Sequence, residues 1–187
     1  MPVIRWACAL IVAALAVASP ARSAAPAGVA IDGRFDLTTL DGHEVTLASY
    51  RGKWVLIYFG YTFCPDVCPA TLTELGGALK QLGAKAKRVQ PLFVTVDPVR
   101  DTSQVMARYL KAFDPRIVGL RGDADEIETV AKNYHVYYRA RSLGHGEYAI
   151  DHSSYIYVMD PRGNFVQLLA PDAPGHKIAQ DLQRLIH

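Results

Sequence analysis

The sequence predicts an α/β fold, a three-layer sandwich entered through an N-terminal β-hairpin, and three observations carry that prediction. Two apolar runs, residues 55–59 and 91–96, read as strands buried on both faces. Between them, Leu72, Leu75, Leu79 and Leu82 recur at helical spacing, and the intervening length suffices for a crossover that joins parallel neighbours. Towards the C-terminus, residues 155–159 and 165–169 flank Asp160, Pro161, Arg162 and Gly163, a type I turn with proline and glycine where it favours them, so an antiparallel pair adds to the sheet. Strands with helices able to cover both faces make three layers.

Taken in order, the chain begins with Arg5, an apolar run over residues 6–18, and small residues around Ala21, Ser23, Ala24 and Ala25, the pattern of a secretory signal. The run is shorter than the roughly 18 residues of a spanning helix. The expected division is therefore a signal peptide at 1–24 with an uncleaved anchor as the alternative, a linker at 25–32, and one domain at 33–187. Export to the periplasm, free or anchored to the membrane facing it, is the expected location. Arg5 and Arg22 are the charged residues of the first 24, and without them eighteen basic residues balance eighteen acidic ones. A neutral domain without a basic tail does not fit nucleic acid.

Phe35, Leu37, Val45 and Leu47 alternate around Asp41-Gly42, a hairpin turn. After the second buried strand, Thr102 or Ser103 caps a helix with Val105, Met106, Tyr109, Leu110 and Phe113 on one face, stopped by Asp114-Pro115. A short apolar piece, 117–120, leads to Asp123 and Glu126, spaced as a capping box for a helix through Ile127, Val130 and Ala131. Residues 134–138 read as a strand or extended segment, 139–150 as an exposed loop or irregular hairpin, and a last helix from about Pro174 places Ile178, Leu182, Leu185 and Ile186 together.

The chemistry is expected in Gly60-Tyr61-Thr62-Phe63-Cys64-Pro65-Asp66-Val67-Cys68-Pro69. Cys8 falls in the presumed signal, so Cys64 and Cys68 are the thiols of the domain. Each precedes a proline, and a pre-proline residue is pushed out of the α region. Cys64 is therefore expected in a turn, Cys68 at the helix cap and Pro69 at the first helical position, with Asp66 facing solvent or capping the helix. Both sulfurs then lie at a helix N-terminus, where the dipole favours thiolate. Such a pair is a metal site, a redox site or both. A structural disulfide is the plain alternative in an exported protein, although closing so short a loop removes little unfolded-state entropy.

A cysteine pair after the first buried strand makes the chain resemble the thioredoxin fold. There the loop before the strand at 155 faces the cysteines. Here that loop carries Asp151-His152-Ser153-Ser154 and lacks the usual proline. Two sulfurs and an imidazole nitrogen form a soft, low-coordinate site suited to Cu(I). Zinc suits the same set but is normally closed by a fourth ligand, and His43, His135, His145 and His176 lie in segments with no reason to converge. A redox enzyme is weakened by spacing: three residues separate the cysteines where thioredoxin-type reductases have two, and Tyr61 stands where a peroxiredoxin wants threonine. The thiols can still form a disulfide, which excludes the metal, so metal binding requires the reduced pair.

The strings Tyr58-Phe59-Gly60 through Cys68-Pro69, Val94-Thr95-Val96-Asp97-Pro98-Val99-Arg100-Asp101-Thr102, Tyr134-His135-Val136-Tyr137-Tyr138 and Asp151-His152-Ser153 are similar to those of the Sco/SenC family, copper-binding proteins that help assemble the binuclear copper centre of cytochrome c oxidase. The resemblance implies that Cys64, Cys68 and His152 are copper ligands, with copper held as Cu(I) or Cu(II). It implies a chaperone that delivers copper to the copper-receiving subunit of the oxidase or to another copper chaperone. A thiol-disulfide oxidoreductase using Cys64 and Cys68 on the recipient's cysteines is the alternative. Asp97 is expected to end the neighbouring strand behind the ligands, where a carboxylate orients a ligand or tunes thiolate acidity, or simply to terminate that strand.

Overall fold

The computed structural model describes residues 31–186, so the expected signal peptide, most of the linker and Cys8 lie outside the described residues. Within them the chain runs β1 (Asp36–Thr39), β2 (Glu44–Thr46), β3 (Trp54–Gly60), α1 (Val67–Leu82), β4 (Val89–Thr95), α2 (Ser103–Leu110), β5 (Val118–Arg121), α3 (Ala124–Asn133), β6 (Tyr138–Gly144), β7 (Glu147–His152), β8 (Ile156–Met159), β9 (Phe165–Leu169) and α4 (Gly175–Leu185). Seven strands form one mixed sheet in the order β2-β1-β5-β4-β3-β8-β9, and β6 and β7 pair separately.

β3 lies deep in that sheet, all seven residues buried as the unbroken apolar run demands. It pairs in parallel with β4, from Trp54 opposite Val89 to Gly60 opposite Thr95, and antiparallel with β8. The crossovers β3-α1-β4 and β4-α2-β5 step the same way across the sheet, and right-handed connections put α1 and α2 on one face. Side chains alternate along β3 and show both layers. Tyr58 turns towards Thr71 of α1 and packs near Phe93, which meets Tyr109 of α2. Its neighbour Phe59 packs on Tyr134 at the end of α3, on the other face. α4 packs on α1. The predicted three-layer sandwich is therefore present. Leu72, Leu75 and Leu79 of α1 are no more than 1% exposed, and truncating any one to alanine costs about 2–5 kcal/mol.

One local expectation changes, at residues 134–137, and three others gain detail. The β1-β2 hairpin extends the main sheet, because β1 pairs with β5. The apolar piece at 117–120 supplies that β5, parallel to β4. Residues 134–137 are not a strand: α3 ends in a Schellman closure, with His135 N–H donating to Lys132 O and Val136 N–H to Ala131 O, and His135 takes the left-handed φ of 53° that this closure needs. Residues 139–150, expected as an exposed loop or irregular hairpin, form the latter, β6 pairing with β7 around a bulge between Ser142 and Gly144.

Candidate metal centre

The cysteine turn leaves β3 at Gly60, beside the C-terminal end of β4. Gly60 is required there, since a Cβ would lie 2.8 Å from Phe93 Cε2 and 3.0 Å from Cys68 Sγ. The turn is pinned by Asp101, a fully buried carboxylate that accepts from Thr62 N, Thr62 Oγ1 and Thr95 Oγ1, the hydroxyls at 2.5 and 2.6 Å. Burial raises its carboxyl pKa against the lowering by those hydrogen bonds.

Cys68 does not cap α1. It is the second residue of the helix, with Val67 before it and Asp66 at the cap position. Pro69 is tolerated at the third helical position, two places later than expected, because the first four N–H groups of a helix have no intrahelical acceptor, so its missing N–H costs nothing. Asp66 makes no side-chain capping bond. The Cys64 sulfur performs that service, accepting from Cys68 N–H at 3.4 Å.

Both thiols are free, Cys64 half-buried and Cys68 fully buried. The Cys68 thiol donating to Cys64 holds the Cys64 thiol down to about 4, against the opposing effect of burial, and the backbone N–H groups of Cys68 and Asp66 add to the lowering. Cys68 is pushed up, first by its hydrogen bond to Cys64 and then by burial. The metal-free pair at neutral pH is thus one thiolate, Cys64, sharing the proton of one thiol, Cys68.

The third group arrives from far along the chain. His152 ends β7, and its Nε2 lies 3.6 Å from Cys68 Sγ. Its Nδ1 is 3.0 Å from Ser153 O. A carbonyl only accepts, so Nδ1 carries the ring proton and Nε2 presents its lone pair to the sulfurs. Tyr61 packs edge-on against the ring at 5.7 Å. The two sulfurs and one imidazole nitrogen all lie within 4.8 Å of one another, and they are the group of metal-ligating side chains found among the described residues. His43, His135, His145 and His176 do not join it.

Asp97 is buried at the end of β4, and its carboxylate accepts from Arg100 Nε at 2.5 Å and Tyr148 Oη at 2.8 Å. These bonds reach neither a thiol nor the imidazole. The reading from sequence passed over Asp101, Arg100 and Tyr148. The first two stand in the Asp-Pro-Val-Arg-Asp-Thr string, from which Asp97 alone was drawn.

Fold and site together define a thioredoxin-like protein with a two-thiol, one-imidazole centre of soft donors. The chain belongs to the SCO1/SenC family, whose model matches residues 23–187. The mitochondrial SCO2 homolog of Bos taurus is 42% identical over 157 residues, 81% of this chain and 59% of that protein. The mitochondrial SCO1 homolog 1 of Arabidopsis thaliana is 42% identical over 139 residues, 74% of this chain and 42% of that protein. The structure of Bradyrhizobium japonicum ScoI with copper bound aligns with a TM-score of 0.77 at 44% identity, over 83% of this chain and 99% of that one. The chain spans about half the length of these curated relatives. Their mitochondrial location overturns the periplasmic one expected from the N-terminal segment.

Proposed function

We propose that residues 33–187 form a copper-binding domain that holds one copper ion through Cys64, Cys68 and His152 and passes it on during assembly of the binuclear copper centre of cytochrome c oxidase. The observation that carries this reading is the convergence of two sulfurs and an imidazole nitrogen, from segments more than eighty residues apart, within 4.8 Å. Thiolates and imidazole in a three-donor set suit Cu(I), and zinc would want a fourth protein ligand. That a related ScoI binds copper supports the same choice. Half-exposed Cys64 gives an incoming ligand a way to the metal, so transfer proceeds by ligand exchange, one donor of the recipient replacing one donor here. The recipient is the copper-receiving subunit of the oxidase or another copper chaperone. Asp97 acts on the centre indirectly, through Arg100 and Tyr148.

One observation favours a second reading. Cys64 is accessible and acidic while Cys68 is buried and neutral, the asymmetry of an attacking and a resolving thiol. As a thiol-disulfide oxidoreductase, Cys64 thiolate would attack a recipient disulfide and release one recipient thiolate. Cys68 would then displace the second, leaving a Cys64–Cys68 disulfide and a reduced recipient. Copper stoichiometry of the reduced protein with and without His152→Ala, measured beside turnover of a disulfide substrate, separates the two. Copper binding that depends on His152 with negligible turnover supports the chaperone; strong turnover indifferent to His152 supports the reductase.

A further inference from the structure

The hairpin that brings His152 to the cysteines has little of its own to hold it. β6 and β7 pair only with each other, and a lone two-stranded hairpin is marginal in water. Every residue of β6 after Tyr138 is exposed. The grip comes from β7. Ile150 is buried, and its N–H donates to Tyr61 Oη at 3.3 Å. Tyr148 is held on three sides by two residues of the β4-α2 connection. Its hydroxyl donates to Asp97 Oδ1, its carbonyl accepts from Arg100 Nη1 at 2.8 Å, and its ring lies 3.6 Å from the Arg100 guanidinium carbon.

The same guanidinium lies 4.7 Å from the centre of the Phe63 ring, immediately before Cys64, and 5.7 Å from that of Tyr61. Asp97 fixes its direction through Nε. One cation thus spans the two segments that carry the sulfurs and the imidazole, between aromatic rings supplied by each. A lysine has no planar fork with which to stack between rings while donating to a carboxylate and a carbonyl together.

We propose that Arg100 is a positioning residue of the centre: it latches the β6-β7 hairpin to the cysteine turn and so keeps His152 Nε2 over the sulfurs. This rests on the reading that Cys64, Cys68 and His152 take copper. Arg100 touches none of the three donors, so its effect on the metal runs through His152. Loss of an outer partner of a metal ligand weakens metal binding roughly ten- to a hundredfold.

The test is a double-mutant cycle of Arg100→Met with His152→Ala, read as Cu(I) affinity by competition with a chromophoric chelator, together with amide hydrogen exchange of the metal-free proteins. Arg100→Met is expected to weaken Cu(I) binding roughly ten- to a hundredfold with His152 present, and by about twofold or less once His152 is gone. Exchange should quicken over residues 147–152 and stay unchanged in β3. An equal loss in both backgrounds, or hairpin exchange unaltered, overturns the latch. Because Arg100→Met strands the buried Asp97 carboxylate, Tyr148→Leu is the second variant. It leaves the Asp97–Arg100 pair intact and should give the same pattern, and a different pattern counts against the latch. Exchange needs no copper, so a wild-type protein that takes no Cu(I) would end the copper reading while the exchange result still decides on the latch.

Discussion

The unequal sharing of one proton between Cys64 and Cys68 makes a prediction that can be worked through. With its thiol at about 4, Cys64 is about 99% thiolate at pH 6, where a thiol at the ordinary 9.0 is ionised in about one molecule per thousand. Low basicity costs nucleophilicity: a Brønsted slope of about 0.4–0.5 over these five units makes each thiolate roughly a hundred to three hundred times slower. The net advantage over an ordinary thiol at pH 6 is therefore only about three- to tenfold. The pH profile is the sharper signature. Alkylation of the reduced, metal-free protein by iodoacetamide should be nearly flat from about pH 5.5 to 8, where an ordinary thiol gains about tenfold per unit. Mass spectrometry should place the label on Cys64, since Cys68 is buried and protonated. Cys68→Ala removes the donor that contributes most to the lowering and should restore a slope. A wild-type rate that climbs tenfold per pH unit across this range, or equal labelling of both thiols, would refute the argument.

Three further outcomes follow from the same contacts. Copper binding at neutral pH should release about one proton from the thiol pair, because Cys64 is already ionised and Cys68 is not; titration calorimetry in buffers of different ionisation enthalpy counts it. Gly60→Ala forces a methyl to 2.8 Å from Phe93 and 3.0 Å from the Cys68 sulfur, an overpacking worth about 1–3 kcal/mol. It should lower both thermal stability and copper affinity, whereas Gly77→Ala, with nothing within 4 Å of its Cβ on α1, should stabilise the fold by up to about 1 kcal/mol. Asp101→Ala strips the acceptor from the Thr62 N–H and from the Thr62 and Thr95 hydroxyls. The stranded donors should cost about 2–4 kcal/mol, a fall in Tm of roughly 5–15 °C by calorimetry.

What the sequence showed and what it hid divide along physical lines. β3 and β4 were legible because an apolar run bounded by turns has few other uses, and the Asp123–Glu126 capping box was legible because both partners are local. The position of Cys68 was misjudged by two residues: the pre-proline rule is a preference, and the first turn of a helix has no hydrogen bonds for Pro69 to break. Residues 134–138 carry the aromatic and β-branched signature of a strand, yet closure of α3 bends the chain at His135 first. β5 is four residues long and signals nothing until β1 and β4 flank it. Cys64, Cys68 and His152 could be named because their residue types are rare and their places in the fold follow from its topology. Asp101 on Thr62 and Arg100 on Tyr148 join positions about 40 and 50 residues apart, and nothing local announces such pairs.

The coordination of bound copper tests the central claim most directly. X-ray absorption at the copper edge of the reduced, Cu(I)-loaded protein should give two sulfur scatterers and one nitrogen or imidazole scatterer, with the imidazole signal lost in His152→Ala. A sulfur-only spectrum, or one that His152→Ala leaves unchanged, would contradict it.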